Sequence, residues 1–151
     1  GFAVVADSFA ALDKAAPLVV YCASGMRSTT AASRLERASV GPVVNLRGGY
    51  GAWHLAMEFP HRFAALAPIS GGATPSGMCA LKHLPIWVFH GAKDDIIRLD
   101  RSEELVERLK RCNANVRFTL YPDAGHDAWT RTYENPELYD WFLQHRRQPA
   151  P

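Results

Sequence analysis

The 151-residue sequence lacks long apolar runs, a strong net charge and paired cysteines. No stretch approaches the roughly 20 consecutive apolar residues that a membrane-spanning helix needs. A formal net charge of +2, with Arg and Lys scattered among the acids, argues against nucleic acid or an anionic membrane surface as a partner. Three cysteines without a CxxC pair exclude a disulfide scaffold and a cysteine-based zinc site. We expect a soluble protein without cofactor or metal; its compartment stays open, with the cytoplasm slightly favoured.

The rest of the composition is that of an ordinary globular domain, with 48% hydrophobic and 21% charged residues. No repeat and no linker divides the chain, so we predict one domain over residues 1–151. Five short β-branched and aromatic runs predict strands, over residues 18–21, 43–46, 63–69, 84–89 and 115–121. Helical periodicity predicts helices over residues 28–38, 50–58 and 102–111, followed by a last helix that Asn135 caps.

Alternating strands and helices predict an α/β fold with a parallel sheet and right-handed crossovers. We expect a single three-layer domain with about five parallel strands in the order 1-2-3-4-5, flanked by helices. In that order strand one is an open edge of the sheet, and an open edge invites pairing with another chain. A homo-oligomer is therefore expected.

A cysteine follows the first predicted strand and precedes a predicted helix. The segment Cys22-Ala-Ser-Gly-Met-Arg27-Ser28 and the later Asn45-Leu-Arg-Gly-Gly49 resemble, over about residues 8–53, the second half of a rhodanese, a persulfide-carrying sulfurtransferase. The resemblance implies that Cys22 is the reactive sulfur, that Arg27 assists it, and that a small sulfur-containing anion is bound. The loop that would cradle this anion consists of Ala23, Ser24, Gly25, Met26 and Ser28.

The position of Cys22 also predicts a reactive thiol on physical grounds. A helix N-terminus and a nearby Arg27 stabilise a thiolate and commonly lower the pKa of a cysteine from about 8.5 to about 3.5–7.5. The alternative is a small buried residue that ends a strand. The first half of a rhodanese, which normally supplies a wall of the substrate site, has no counterpart in this chain.

Downstream of the same Gly-Gly turn the chain resembles a different family. The stretches Gly48-Gly-Tyr-Gly-Ala-Trp53 and Ala67-Pro-Ile-Ser-Gly-Gly72 are similar to those that follow the nucleophile elbow in esterase- and peptidase-like α/β-hydrolases, and the resemblance covers about residues 48–147. It implies that Asp94 is the acid and His126 the base of a catalytic triad. The nucleophile is missing, because Leu46 stands where the serine of the Gly-x-Ser-x-Gly elbow belongs.

Two other residues are candidates for the missing nucleophile, and one cluster is a candidate metal site. Ser70 and Cys22 end strands near the edge where His126 is expected, so either is a candidate to replace the serine. A metal site at His90, Asp94, Asp95 and His126 is a poorer interpretation, and the cluster formed by residues 93–95 is predicted to face solvent.

We therefore interpret the chain as a chimera of a rhodanese-like segment, residues 1–47, and an α/β-hydrolase-like segment, residues 48–147. The first functional hypothesis is sulfurtransferase-like chemistry or anion binding at Cys22. The alternatives are a hydrolase remnant for ester-like small molecules, inactive or weak without its serine, and a folded recombination or engineered product without selected activity.

The two remaining cysteines precede neighbouring predicted strands. Cys79 comes before the fourth strand and Cys112 before the fifth, which places both at the edge of the sheet opposite the active loops. A disulfide needs Cα atoms within about 7 Å, and adjacent parallel strands leave that open. Cys22 is expected to pair with neither of them.

Overall fold

The computed structural model of the protein describes residues 18–22, 43–47 and 49–145, in which strands and helices alternate. The strands are β1 (Leu18–Cys22), β2 (Val43–Arg47), β3 (Ile86–Gly91) and β4 (Val116–Tyr121). The helices are α1 (Gly49–Glu58), α2 (Leu99–Lys110), α3 (Trp129–Glu134) and α4 (Pro136–Leu143), with short 3-10 turns at Pro60–Arg62 and Met78–Leu81. Within these ranges, no helix has the length and apolar character needed to cross a membrane.

The strands pair in parallel, as predicted. β1 lies beside β2 with Leu18 opposite Val43, and β3 lies beside β4 with Ile86 opposite Val116. In the described part of the chain these pairings form two separate two-stranded sheets. The five-strand order 1-2-3-4-5 therefore stays a prediction.

Residues 63–69, predicted as a full strand, contact β3 only through isolated bridges. Leu66 pairs with Ile86 and Ile69 with Phe89, both in parallel. The ladder is interrupted at Pro68, which has no backbone N–H to donate although its carbonyl still accepts from the Phe89 N–H at 2.9 Å. The expectation of a continuous third strand was wrong, but this segment does run alongside β3.

β3 is the centre of the described core, since all of its residues are buried. Side chains alternate across a strand, so Ile86 and Val88 face one layer and Trp87 and Phe89 the other. The first layer contains buried residues of α1 and α2, among them Trp53 and Leu105. The second contains buried residues of α3 and α4. Helices cover both faces of β3, as a parallel α/β arrangement requires.

Two helix ends differ in how well the sequence predicted them. Asn135 caps α4 as predicted, because its side-chain oxygen accepts a hydrogen bond from the Glu137 N–H at 3.0 Å, with Pro136 in the first turn. α2 begins at Leu99 rather than at the predicted Ser102. The earlier start places Asp100 in the first turn, where a negative charge complements the helix dipole.

The amino-terminal ends of β3 and β4 are tied together twice. A disulfide joins Cys79 to Cys112 with their Cα atoms 5.8 Å apart, so the bridge that the sequence left open is present. Beside it, buried Asn113 donates its side-chain N–H groups to the carbonyls of Leu81 at 2.9 Å and Leu84 at 2.8 Å. The side-chain oxygen of Asn113 accepts from the Asn115 N–H at 2.8 Å.

Replacing Asn113 with Ala is expected to lower the free energy of unfolding by about 2–4 kcal/mol, because it removes three hydrogen bonds, including the one that the Leu84 carbonyl accepts. Urea denaturation followed by circular dichroism measures this difference. Asn115→Ala is the matched control, since the side chain of Asn115 is exposed and only its backbone N–H takes part. Equal losses for both variants would contradict the role given to Asn113.

Candidate active site

The loops that leave the carboxyl ends of β3 and β4 bring an acid and a base together. Asp94 follows β3 and His126 follows β4, and His126 Nδ1 donates to Asp94 Oδ2 at 2.9 Å. Asp94 is only 8% exposed, so its predicted solvent-facing position is wrong, whereas Lys93 and Asp95 are exposed as expected. Asp94 is turned inward by its hydrogen-bond partners, which residue-type patterns do not reveal.

The other carboxylate oxygen of Asp94 is held by backbone groups. Oδ1 accepts from the N–H groups of Ile96 at 3.0 Å and Ile97 at 2.8 Å. A buried carboxylate needs such donors, because its desolvation is otherwise costly. Oδ1 is thereby fixed by the acid loop, which we define as residues 91–98, and Oδ2 is presented to His126.

The ring of His126 has a defined orientation. Its Nδ1 donates to a carboxylate, so in the neutral imidazole Nε2 is the basic nitrogen. The ring packs edge-on against Trp129, with ring centroids 5.2 Å apart and an interplanar angle of 87°. The side chain of His126 is 17% exposed. It is therefore a half-buried base whose acceptor nitrogen is set by Asp94.

A second histidine, His90, lies behind Asp94. The sequence suggested it only as a possible metal ligand. His90 is fully buried near the end of β3, with Nε2 2.8 Å from the Ile97 carbonyl oxygen and 3.3 Å from Asp94 Oδ2. Its Nδ1 lies 2.8 Å from Ser102 Oγ. Over the residues with described positions, no group of three or more His, Cys, Asp or Glu side chains is arranged to hold a metal ion.

Ser102 was missed as a site residue, although the sequence carries a signal for it. It shares the buried face of α2 with Leu105, Val106 and Leu109, a spacing at which an apolar residue is expected. A serine on an apolar stripe needs a hydrogen-bond partner. Here it contacts His90 and donates to the Gly71 carbonyl at 3.1 Å.

The acid loop and the loop carrying His126 are in direct backbone contact. The N–H of Lys93 donates to the Ala124 carbonyl at 2.9 Å, and the N–H of Ala92 donates to the Tyr121 carbonyl at 2.9 Å. A Cβ atom at Gly91 would overlap the carbonyl oxygens of Ala124 and Gly125. Only glycine therefore allows the two loops to approach this closely.

An exposed ion pair lies at the start of the His126 loop. Arg131 donates to Asp123 Oδ2 at 2.8 Å, and this hydrogen bond and the charge of Arg131 lower the pKa of Asp123. Both side chains are more than half exposed, so the pair adds little stability. Its effect is local, joining the loop to the first turns of α3.

Two of the predicted nucleophile positions, Leu46 and Ser70, lie among the described residues. β2 ends at Arg47 and α1 begins at Gly49, so Leu46 is the second-last residue of a strand that is followed closely by a helix. This is the chain path that a nucleophile elbow requires. Ser70 has a left-handed φ of 47° and is 1% exposed, and its hydroxyl has no hydrogen-bond partner in the described structure.

Cys22 ends β1, opposite Arg47 in the register with β2. Arg27 and the rest of the predicted anion-binding loop lie outside the described residues. The structure therefore brings together the hydrolase-type pair, Asp94 and His126, and leaves the arrangement around Cys22 as a prediction.

Comparison with known proteins identifies the family. A profile of the prolyl oligopeptidase family matches residues 50–148, which is more than half of the chain. The chain belongs to the prolyl oligopeptidase family. A profile of the rhodanese-like domain matches residues 1–56. Both resemblances seen in the sequence thus have counterparts, and the two matches overlap in residues 50–56.

Individual proteins, two of them with solved structures, also resemble this chain. The solved structure of a thermostable esterase is 38% identical, with a TM-score of 0.62 over 68% of this chain and 30% of that chain. A Yersinia pestis protein named "Putative carboxymethylenebutenolidase" is 27% identical over 69% of this chain and 46% of its own length. An esterase domain from Rhodothermus marinus shares the fold, with a TM-score of 0.55 at 15% identity over 81% of this chain and 69% of that chain.

The chain thus spans less than half the length of the esterase and of the Yersinia protein. What the described part shares with these relatives is an α/β fold of the esterase type.

Substituting Gly91 with Ala is expected to lower the free energy of unfolding by about 2–4 kcal/mol, because the added methyl group meets backbone that cannot rotate away. Thermal and urea denaturation measure the change. Gly72→Ala is the matched control, since a Cβ there makes an ordinary contact of 3.5 Å with Arg101 Cβ. A loss at Gly91 no larger than at Gly72 would show that the loops have room to separate.

Proposed function

We propose that this chain carries the acid–base half of an esterase-type hydrolase, with Asp94 as the acid and His126 as the base of a Ser-His-Asp triad. The observation that carries the proposal is the 2.9 Å hydrogen bond from His126 Nδ1 to buried Asp94 Oδ2. In this arrangement Nε2 takes the proton of an attacking hydroxyl, and Asp94 stabilises the imidazolium that forms. The same Nε2 then returns the proton to the leaving alcohol.

The reaction needs a nucleophile, and its position is occupied by Leu46. A leucine side chain has no atom that can attack a carbonyl, so the chain by itself does not complete the acylation step. Ser70 is a poor substitute, because at 1% exposure its hydroxyl is not accessible to an incoming ester. We propose ester-like small molecules as the substrate class, a choice supported by the 38% identical esterase.

Leu46→Ser is expected to create hydrolysis of a short-chain aryl ester such as p-nitrophenyl butyrate, whereas the parent chain stays at the level of the uncatalysed reaction. We expect a gain of at least about tenfold. The variant should still fall short of a complete hydrolase, since a missing oxyanion donor alone costs about 100- to 1000-fold. The rate of p-nitrophenol release at 405 nm, roughly the absorption maximum of the anion, measures both chains.

The gain should depend on His126 and not on histidine in general. Adding His126→Ala to Leu46→Ser should return hydrolysis to the parent level, whereas His83→Ala, at an exposed position, should not. No gain from Leu46→Ser would count against the triad assignment. Hydrolysis by the parent chain that His126→Ala abolishes would show that another nucleophile is already present.

A second candidate function is supported by the rhodanese-like match over residues 1–56. We propose that Cys22 is a reactive thiolate that binds small sulfur-containing anions, with Arg27 beside it. Cys22 ends β1, at the carboxyl edge where parallel strands place functional loops. Because Cys79 and Cys112 form a disulfide, Cys22 is the one cysteine of the sequence outside that bridge.

The Cys22 thiol should react with limiting iodoacetamide faster than free cysteine at about pH 6, because a lowered pKa keeps more of it as thiolate. Thiosulfate or phosphate should slow this labelling, and Arg27→Ala should weaken both effects. Mass spectrometry of the non-reduced protein gives the labelling rate, with Arg111→Ala as the control arginine. A rate no faster than that of free cysteine, unchanged by anions, would remove this function.

A further inference from the structure

We propose that His90 is a positioning residue of the acid loop, which holds the 96–97 end of that loop so that Asp94 Oδ2 faces His126. His90 lies in β3 and is fully buried. The inference rests on the proposed function only in taking Asp94 and His126 as acid and base. Its structural content, a tie from β3 to the acid loop, is independent of whether the chain hydrolyses esters.

Ile97 is held by hydrogen bonds at both of its backbone groups. Its carbonyl lies 2.8 Å from His90 Nε2, and its N–H donates to Asp94 Oδ1 at 2.8 Å. A carbonyl oxygen only accepts, so Nε2 of His90 carries the hydrogen. His90 therefore holds the residue that fixes Asp94, and its Nε2 is itself 3.3 Å from Asp94 Oδ2.

The His90 ring is itself fixed in orientation. Nδ1 lies 2.8 Å from the hydroxyl oxygen of Ser102, a fully buried residue of α2. The Ser102 hydroxyl also lies 3.1 Å from the Gly71 carbonyl oxygen, so its one hydrogen is shared between two acceptors, His90 Nδ1 and Gly71. The ring is thus held between α2 and the segment that follows Ser70, and it cannot rotate without breaking buried hydrogen bonds.

The acid loop makes other hydrogen bonds besides the one with His90. Lys93 and Asp94 are bound near the start of the loop, through their N–H groups to Ala124 and Gly91. The bonds from Ile96 and Ile97 to Asp94 close the loop on itself. Among the described hydrogen bonds, the contact with His90 attaches the 96–97 end to the sheet.

The experiment compares His90→Phe, which keeps the ring but loses both nitrogens, with His90→Gln, whose side-chain amide retains a donor near the position of Nε2. Amide hydrogen exchange of Ile96 and Ile97, followed by NMR, is the first readout. We expect His90→Phe to speed exchange at both amides by about fivefold or more, the effect of losing roughly one net hydrogen bond. His90→Gln should exchange like the parent, and the Phe89 amide should be unchanged in both.

Acceleration confined to Ile96 and Ile97, and reversed in His90→Gln, supports the proposal. Unchanged exchange in His90→Phe, or an equal acceleration in His90→Gln, overturns it. If His90→Phe does not fold, Ser102→Ala decides in the same measurement, with Ser76→Ala at an exposed position as its control. Faster Ile97 exchange in Ser102→Ala alone supports the proposal, and equal rates in the two serine variants overturn it.

The second readout is ester hydrolysis in the Leu46→Ser background. His90→Phe should lower kcat by about 10- to 100-fold, the cost of a small misplacement of catalytic groups, while KM changes less than about threefold. His90→Gln should restore most of kcat. If Leu46→Ser gives no His126-dependent hydrolysis, the proposed function fails, and amide exchange still decides whether His90 positions the loop.

Discussion

The carboxylate of Asp94 is the group on which the described site depends. A carboxylate at 8% exposure is stable in its charged form only if hydrogen bonds replace the water it has lost. Two backbone N–H groups meet one oxygen, and His126 meets the other. The close approach at Gly91 and the buried contacts of His90 both serve to bring those donors to Asp94. The arrangement of these two loops therefore follows from the need to supply hydrogen bonds to one buried carboxylate.

The resemblance to α/β-hydrolases implied that Asp94 and His126 act together, and their positions along the chain are consistent with it. Each follows an apolar strand, and neighbouring parallel strands end at the same edge of a sheet, so their loops converge whatever the detailed packing. The α/β alternation and the cap at Asn135 were predictable for the same reason, because they depend on local spacing. The disulfide was left open, since it depends on a distance of a few ångströms between strand starts.

What the sequence could not predict depends on partners distant along the chain. The cluster at Lys93 and Asp94 has the composition of a solvated loop, and only the placement of Ile97 and His126 turns Asp94 inward. His90 and Ser102 find each other through the packing of α2 on β3, which no periodicity specifies. The interruption at Pro68 has a visible cause, but its effect depends on which side of the segment faces β3.

The two ends of β3 differ in how they are held together. At its start a disulfide and the buried Asn113 join the segments that lead into β3 and β4, whereas the described links between the loops at its end are hydrogen bonds. Native proteins open locally, and opening begins where the least free energy is required. Around β3 we therefore expect local opening to begin at the loops that carry Asp94 and His126 rather than at the end next to the disulfide. Because the disulfide keeps the starts of β3 and β4 next to each other, the loops can close again without the strands losing their register.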